Sequence, residues 1–285
     1  MKKTYIYVTP FFPSPDNWRG SYCFDFIKAM KATLRNIRIE VFTPGKFDYQ
    51  INGVMVRCFH ECKLPSSIFP FLFRKRNEKY FLNAVSHAGI NINDIIVCHA
   101  NTASFSIYAL AVKNRNPFCK TLLHHHDLQS FGLNGGILKH CFLYNLYLFP
   151  ALRKLHERID CHVFISEASR RSFCAAPNTS WTTWAGYKNQ MRWLPYRAVG
   201  IKRSLILHNG VDTELFCKKA REGSSKNRFL LTIGCVGNFV KIKDQISLIK
   251  ALIILRNEYK LDSRVVFVGS GPELMKCKKY VVKKK

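Results

Sequence analysis

Residues 228–273 restrict the possible folds of this chain more than any other stretch. They contain two apolar runs, 229–240 and 264–273, and each run includes glycines near its end. Such runs are typical of strands that are buried on both faces of a sheet. A helix over residues 244–259 would carry one apolar side, formed by Leu248, Leu252, Leu255 and Tyr259. The pattern predicts a β-α-β unit whose right-handed crossover makes its two strands parallel.

Groups suited to phosphate follow both predicted strands. Ligands of parallel sheets bind beyond the carboxyl ends of the strands. Gly237 follows the first strand, and Gly269 and Gly271 follow the second, so the backbone could approach a ligand closely. Lys243 adds a positive charge at the same rim. We therefore predict a phosphate-binding half-site, with an ordinary exposed lysine at a helix start as the alternative for Lys243.

The two segments that carry these groups resemble the donor domain of family 4 glycosyltransferases, which have the GT-B fold. They read Gly237-Asn-Phe-Val-Lys-Ile-Lys-Asp244 and Val268-Gly-Ser-Gly-Pro-Glu273. The resemblance implies that Lys243 grips the diphosphate of a nucleotide sugar, and that the glycines and Glu273 line the donor site.

One cation of the family pattern is missing, because Asn238 stands where the family has an arginine. Loss of a charge-assisted hydrogen bond costs about 1.5–3 kcal/mol. We therefore expect a reduced affinity for the donor, or compensation by Lys241.

The rest of the chain predicts a larger α/β domain. Strands and helices alternate over residues 4–124, which is typical of a doubly wound parallel sheet. The resemblance covers nearly the whole chain and implies a complete N-terminal Rossmann-like domain, 1–217, on the acceptor side. A linker at 218–227 and a partial donor domain at 228–285 follow. The segment Asn209-Gly-Val-Asp212, with Phe216, resembles the family segment that ends the first domain beside the cleft.

A second anion site is predicted near the start of the chain. There a strand is followed by a loop that closes on a glycine and by a helix N-terminus, where free amide groups point outward. In the family this loop has two adjacent glycines. Gly20 matches the second of them and Arg19 occupies the place of the first. The arginine would narrow the cleft and add positive charge; a plain turn is the alternative.

The run His124-His-His-Asp127 ends another predicted strand. Side chains alternate between the faces of a strand, so His124 and His126 could share a ligand and His125 could not. Because no carboxylate or cysteine at a useful spacing completes a ligand set, we predict no metal site. The resemblance implies that His126 contacts the transferred sugar near the reacting carbon, and that Asp127, Arg19, Asn209 and Gly210 line the cleft. A purely structural histidine stays open.

The formal net charge of +27 indicates anionic partners, namely nucleic acid, anionic lipid or phosphorylated small molecules. Trp181 and Trp184 lie among basic residues and could stack on single-stranded nucleic acid. That interpretation leaves the glycines at the strand ends unexplained, so we expect no nucleic-acid partner. Residues 65–76 combine three phenylalanines with the basic run Arg74-Lys-Arg76, which suits a membrane surface. An anionic membrane surface therefore stays open as a partner.

Cysteine usage indicates a cytoplasmic protein. The eleven cysteines are spaced singly and irregularly in a chain too long to need a disulfide scaffold, which favours reduced thiols. We expect a cytoplasmic location, with peripheral attachment to the inner face of the cell membrane as an open possibility.

The resemblance implies a transferase that moves a sugar from a nucleotide diphosphate sugar to a glycan or lipid-linked hydroxyl, with retention and without a cofactor. In the family the donor domain continues with a pair of glutamates, whereas nothing acidic follows Glu273. Two strands and their helices cannot cover both faces of a sheet. We therefore expect a truncated transferase with weak or absent activity. The alternatives are a basic nucleic-acid-binding protein and a non-catalytic remnant that binds acceptor or membrane.

Overall fold

The computed structural model describes residues 3–17, 20–62, 73–126, 154–174, 201–214, 216–217 and 231–283. Arg19, Asp127, Trp181, Trp184 and the expected linker at 218–227 lie outside these residues. The chain forms two compact units, Met1–Thr213 and Glu214–Lys285, which are described separately.

Unit 1 contains an eight-stranded sheet in the described residues. Its strands are β1 Thr4–Val8, β2 Arg38–Pro44, β3 Tyr49–Ile51, β4 Val54–Phe59, β5 Ile95–Ala100, β6 Lys120–His125, β7 Cys161–Phe164 and β8 Ser204–Ile206. Their order across the sheet is β3-β4-β2-β1-β5-β6-β7-β8, and every neighbouring pair except β3 and β4 is parallel. The doubly wound parallel sheet predicted from the sequence is confirmed.

The antiparallel edge strand β3 was not predicted. It pairs with β4 through a tight turn formed by Asn52 and Gly53, whose φ angles are 46° and 75°. Asn-Gly is the dipeptide that favours two-residue hairpin turns, because both positions need positive φ. The sequence therefore held a hairpin signal at this point.

The helices of unit 1 are α1 Ser21–Thr33, α2 Arg74–His87, α3 Ser106–Arg115 and α4 Glu167–Cys174, with short 3-10 turns at Ile92–Asp94 and Ala103–Phe105. Consecutive residues of β1 enter separate cores, because side chains alternate along a strand. Tyr7 packs with Ile27 of α1, whereas Val8 packs with Phe81 of α2 and Tyr108 of α3.

Helix α2 begins earlier than the sequence indicated. Arg74 and Arg76 lie in the first turn of α2, where Arg74 pairs with Glu78, whereas the sequence placed them in the aromatic and basic segment. Ser166 caps α4, since Ser169 N–H donates to Ser166 Oγ at 3.1 Å.

Unit 2 contains the predicted β-α-β unit. Strands β9 Leu231–Val236 and β10 Ser263–Val268 are parallel, and α5 Gln245–Asn257 connects them after a 3-10 turn at Lys241–Lys243. Helix α6, Leu274–Lys283, follows β10. Both helices pack into one apolar cluster with Phe267.

Two predictions about burial in unit 2 are wrong for the described residues. Val236 and Val268 are 82% and 55% exposed, so one face of this pair of strands is open rather than buried, because both helices pack on the other face. Helix α5 buries Ile249 rather than the predicted leucine side, and Tyr259 is exposed. Because α5 is apolar around most of its circumference, its periodicity does not choose between the two sides.

Among the described residues, no helix combines the length and the apolar character required to cross a bilayer.

Candidate functional site

The carboxyl ends of four parallel strands bring polar side chains to one edge of the unit 1 sheet. Thr9 follows β1, Asn101 follows β5, His126 follows β6 and His208 comes shortly after β8. Ligands of open α/β sheets bind at this edge. Of these four residues, only His126 was predicted from the sequence to belong to the site.

Asn101 is fully buried and connects these strand ends. The Thr9 hydroxyl donates to the carbonyl of Phe11 at 2.9 Å, so Thr9 Oγ1 accepts from Asn101 Nδ2 at 3.1 Å. The amide orientation of Asn101 is thereby set, and Oδ1 is its acceptor atom. His126 Nε2 lies 2.7 Å from this oxygen. His126 therefore donates through Nε2–H and carries its lone pair on Nδ1.

His126 is held as a neutral imidazole. Burial lowers its pKa to about 4, because the apolar surroundings disfavour the charged form. The Tyr22 ring lies 4.8 Å from the His126 ring, centroid to centroid, and the His124 ring lies 4.1 Å away. At neutral pH, His126 can accept a hydrogen bond from a hydroxyl group, but it offers no positive charge.

Further histidines form a column beneath His126. His124 stacks on His99 at a centroid distance of 5.5 Å, and His99 Nδ1 is hydrogen-bonded to the Tyr5 hydroxyl at 2.7 Å. Burial lowers the pKa of His99 to about 3 and that of His124 to about 2. We call Tyr5, His99, His124 and His126 the histidine column.

His125 lies on the opposite face of β6, where its Nε2 is 2.9 Å from Nδ1 of His162. The predicted alternation of the three histidines is therefore confirmed. In the part of the chain that the structure describes, no three His, Cys, Asp or Glu side chains are grouped to hold a metal ion.

A cavity of about 510 Å³ lies beside this column, between α1 and the segment after β8. His124, His126, Asn209 and Gly210 all line it. The structure thus brings three residues predicted from the sequence (His126, Asn209 and Gly210) to one site.

Gly20 is not among the lining residues of this cavity, but it begins α1, which supplies several of them. Its φ is 87°, and a Cβ at this position would lie 2.8 Å from Cδ2 of Phe11. Gly20 is therefore required by the turn that starts α1, which agrees with the alternative of a plain turn and leaves the ligand contact as a prediction.

In unit 2, most of the residues predicted to bind the nucleotide-sugar donor lie on two loops that contact each other. Gly237 N–H donates to Val268 O at 2.9 Å, Phe239 N–H to Ser270 O at 2.8 Å, and Glu273 N–H to Phe239 O at 3.0 Å. The backbones of residues 237–239 and 268–273 are thus joined like an extension of the sheet. Gly237, Asn238, Gly269, Gly271 and Glu273 all belong to this pair of loops.

Close contact between the loops explains two of the glycines. A Cβ on Gly269 would lie 2.1 Å from Gly237 O, and one on Gly271 would lie 2.4 Å from Phe239 O. Both residues also have a φ of 147°, which side chains disfavour. The sequence interpretation assigned these glycines to approach by a ligand, whereas here they allow one loop to approach the other. Gly237 has open space where its Cβ would be.

Of the charged groups at this rim, Lys243 and Asp244 are exposed and Glu273 is partly buried. Lys243 ends the 3-10 turn, and Asp244 follows with a φ of 43° at the start of α5. Asn238 is exposed, and its carbonyl accepts from Gln245 Nε2 at 2.9 Å. Glu273 pairs with Lys276 at 3.2 Å. Lys243 therefore stands close in sequence to the amide groups of a helix start, a combination that suits an anion.

Four residues of this site were not predicted from the sequence, namely Tyr7, Tyr22, Asn101 and His208, whereas His124 was expected to share a ligand with His126. Asn101 follows the largely buried strand β5 at the ligand edge, which is a signal that the sequence alone offers, whereas β8, which precedes His208, is largely exposed. The tyrosines lie within β1 and α1, and nothing in their local pattern distinguishes them from core residues.

No protein-family model matches this chain, and no curated protein matches it. Solved structures do. The N-terminal domain of Candida albicans trehalose-6-phosphate phosphatase has a TM-score of 0.63 at 10% identity, over 99% of this chain and 68% of that chain. An E. coli structure described as trehalose-6-phosphate bound with UDP-2-fluoro glucose has a TM-score of 0.59 at 10% identity, over 99% and 69%.

A trehalose-6-phosphate synthase studied with bisubstrate glycomimetics has a TM-score of 0.55 at 10% identity, over 98% of this chain and 68% of that chain. At this level of sequence identity, the structural similarity establishes only a shared fold. The strand order of unit 1 and the β-α-β unit of unit 2 are the Rossmann-like parts of this likeness. The chain therefore has the mixed α/β, GT-B-like fold expected from its sequence.

Proposed function

We propose that this chain belongs to the glycosyltransferases of the family 4 type and transfers a sugar from a nucleotide diphosphate sugar to a hydroxyl group. The acceptor is a glycan or a lipid-linked sugar, as the resemblance implies. The observation that carries this proposal is the neutral His126, held by Asn101 at the ligand edge of the sheet in a cavity that also contains Asn209 and Gly210.

His126 would contact the transferred sugar. A neutral imidazole whose Nδ1 carries the lone pair can accept a hydrogen bond from a sugar hydroxyl. It places no full positive charge beside the carbon at which positive charge develops during glycosyl transfer. The low pKa of His126, about 4, keeps this state at neutral pH.

The diphosphate of the donor would bind at the rim of unit 2. Lys243 supplies a cation, and the N-terminus of α5 supplies oriented amide groups, so charge developing on the leaving diphosphate is stabilised there. We propose no cofactor besides the nucleotide sugar. Transfer with retention is described for the trehalose-6-phosphate synthase neighbour, and we propose the same outcome here.

UDP-glucose is the first donor to test, because the E. coli neighbour was solved with UDP-2-fluoro glucose. We propose that the reaction takes place in the cytoplasm, because the irregular spacing of the eleven cysteines favours reduced thiols.

Isothermal titration calorimetry with UDP-glucose, UDP-galactose, UDP-N-acetylglucosamine and GDP-mannose tests the proposal. We expect at least one donor to bind, and Lys243→Met to weaken its Kd by about tenfold or more, since a charge-assisted hydrogen bond contributes about 1.5–3 kcal/mol. Lys250→Met is the matched control, because Lys250 is exposed on α5 beyond its first turn. Equal Kd values for both variants would contradict the assignment of Lys243.

A further inference from the structure

The thiol of Cys23 lies against the amide that holds His126. Cys23 belongs to the first turn of α1 and is fully buried. Asn101 Nδ2 donates to Cys23 Sγ at 3.2 Å and to Thr9 Oγ1 at 3.1 Å. An amide nitrogen carries two hydrogens, so these two acceptors together use both of them. The hydroxyl of Tyr22 lies further from the same nitrogen, at 3.4 Å.

The proton of this thiol is donated to Thr9 and not to Asn101. The Thr9 hydroxyl gives its own proton to the carbonyl of Phe11. In the contact between Thr9 Oγ1 and Cys23 Sγ, at 3.8 Å, the thiol is therefore the donor. Burial raises the pKa of the Cys23 thiol, so the proton stays on sulfur at neutral pH. The lone pairs of Sγ are thus left to accept from Asn101.

These hydrogen bonds make the orientation of the Asn101 amide and the tautomer of His126 depend on each other. Thr9, Cys23 and Asn101 are all fully buried, so they rely on one another for hydrogen bonds. A reversed amide would turn its oxygen towards Thr9 and Cys23, whose protons are already donated elsewhere. It would also turn Nδ2 towards His126 Nε2, and that nitrogen would then have to accept. His126 would carry its proton on Nδ1 instead.

We infer that Cys23 is a positioning residue, whose sulfur acts with Thr9 to fix the Asn101 amide and thereby keeps the lone pair of His126 on Nδ1. Cys23 is not among the residues that line the cavity, so it acts through Asn101. Helix α1 thus helps to set the hydrogen-bonding character of a residue on β6. The kinetic consequence rests on the proposed function, in which His126 contacts the transferred sugar, whereas control of the tautomer does not.

Two substitutions separate the hydrogen bond from the rest of the core. Cys23→Ala removes one acceptor of Asn101 Nδ2, whereas Cys23→Ser keeps a group that both donates and accepts. Loss of one hydrogen bond should reduce the preference for the observed amide orientation about threefold to tenfold. NMR of the full chain with ¹⁵N-labelled histidine reports the tautomer of His126 directly. We expect Nε2–H in the unsubstituted chain, a shift towards Nδ1–H in Cys23→Ala, and recovery in Cys23→Ser.

Cys119→Ala is the matched control. Cys119 is equally buried, but it precedes β6 at the end away from His126 and packs in the core on the other side of the sheet. Its removal should lower the free energy of unfolding in urea, as removal of Cys23 does, and leave the His126 resonances unchanged. The tautomer of the unsubstituted chain tests the inference even where Cys23→Ala fails to fold.

A kinetic measurement completes the test. With a nucleotide sugar that is turned over, Cys23→Ala should lower kcat about threefold to tenfold and change KM for the donor by less than about twofold, because the donor diphosphate is assigned to unit 2. Cys23→Ser should restore kcat.

The inference is overturned if His126 carries its proton on Nδ1 in the unsubstituted chain, if Cys23→Ala leaves its resonances unmoved, or if Cys119→Ala moves them equally. Donor turnover with an unmoved tautomer refutes the inference and leaves the transferase proposal standing. A tautomer that responds to Cys23→Ala, without turnover of any donor, refutes the transferase and leaves Cys23 as the residue that positions Asn101.

Discussion

The imidazole of His126 and the amide of Asn101 lie 2.7 Å apart, Nε2 to Oδ1, although the two residues stand on different strands of the sheet. Because Asn101 Nδ2 donates to Thr9, its Oδ1 must accept, and His126 must carry its proton on Nε2. This one contact sets the tautomer of the residue to which we assign the sugar contact.

Asn101→Asp should raise the pKa of His126. A carboxylate at this position would still accept from Nε2–H and would favour the imidazolium form, which we expect to raise the pKa by about 1–3 units from its low value. Titration of ¹⁵N-labelled histidine by NMR measures this shift. Asn116→Asp is the control, since Asn116 is also buried and donates to the carbonyl of Ile95 instead. A pKa of His126 that is the same in both variants would show that the contact does not govern it.

Asn238→Arg should strengthen donor binding. The substitution restores the arginine that family 4 donor domains have at the matching position, and Asn238 is exposed, so a longer side chain can be accommodated. One added charge-assisted hydrogen bond should lower the Kd for UDP-glucose about tenfold, measured by calorimetry. Asn257→Arg adds the same charge at the far end of α5 and should change the Kd little. If both arginines act equally, the gain comes from general charge and not from the donor site.

Gly269→Ala should destabilise unit 2. The new methyl group would lie 2.1 Å from Gly237 O, at a φ of 147°, so the two loops would have to separate. We expect a loss of at least about 2 kcal/mol in the free energy of unfolding, measured by urea denaturation. Gly234→Ala is the control, because the space around that Cβ position is open. Comparable stability of the two variants would rule out the close contact between the loops.

The buried histidines should make unit 1 sensitive to acid. Burial lowers the pKa values of His99, His124 and His126 to about 3, 2 and 4, whereas in the unfolded chain they titrate near 6.5. Below pH 6.5 the unfolded chain therefore binds more protons than the folded one, so the free energy of unfolding decreases as the pH is lowered. Each of these histidines should contribute about 1.4 kcal/mol of destabilisation per pH unit.

Urea denaturation at pH 7.5, 6.0 and 5.0 measures this dependence. His99→Phe removes one of these groups, so unfolding should take up as much as one proton fewer. The slope of the free energy of unfolding against pH should therefore be smaller in this variant. A free energy of unfolding that stays constant between pH 7.5 and 5.0 would mean that these imidazoles are hydrated and not buried.

Local periodicity was enough to predict much of the fold. The alternation of strands and helices gave the parallel sheet, and the period of two along a strand placed His124 and His126 on one face and His125 on the other. The positions of His126, Asn209 and Gly210 near one site were implied by the resemblance to family 4 glycosyltransferases, and they agree with the rule that ligands meet the carboxyl ends of parallel strands.

The remaining features depend on contacts between distant residues. Asn101 joins Thr9 to His126 across separations of 92 and 25 residues, which no local pattern encodes. Gly269 is needed because another loop passes close to it, although its sequence context suggested a ligand. Helix α5 offers apolar groups on several sides, so only tertiary packing selects Ile249.

The most direct test of the central claim is release of nucleoside diphosphate from a nucleotide sugar by the purified chain. The reaction is followed by NMR with UDP-glucose as donor and a phenyl glycoside as the hydroxyl acceptor. We expect weak but measurable UDP release with the anomeric configuration of glucose retained, and a rate that is about a hundredfold or more lower in His126→Ala. UDP release at the same rate in His126→Ala, or inversion at the anomeric carbon, would contradict this expectation.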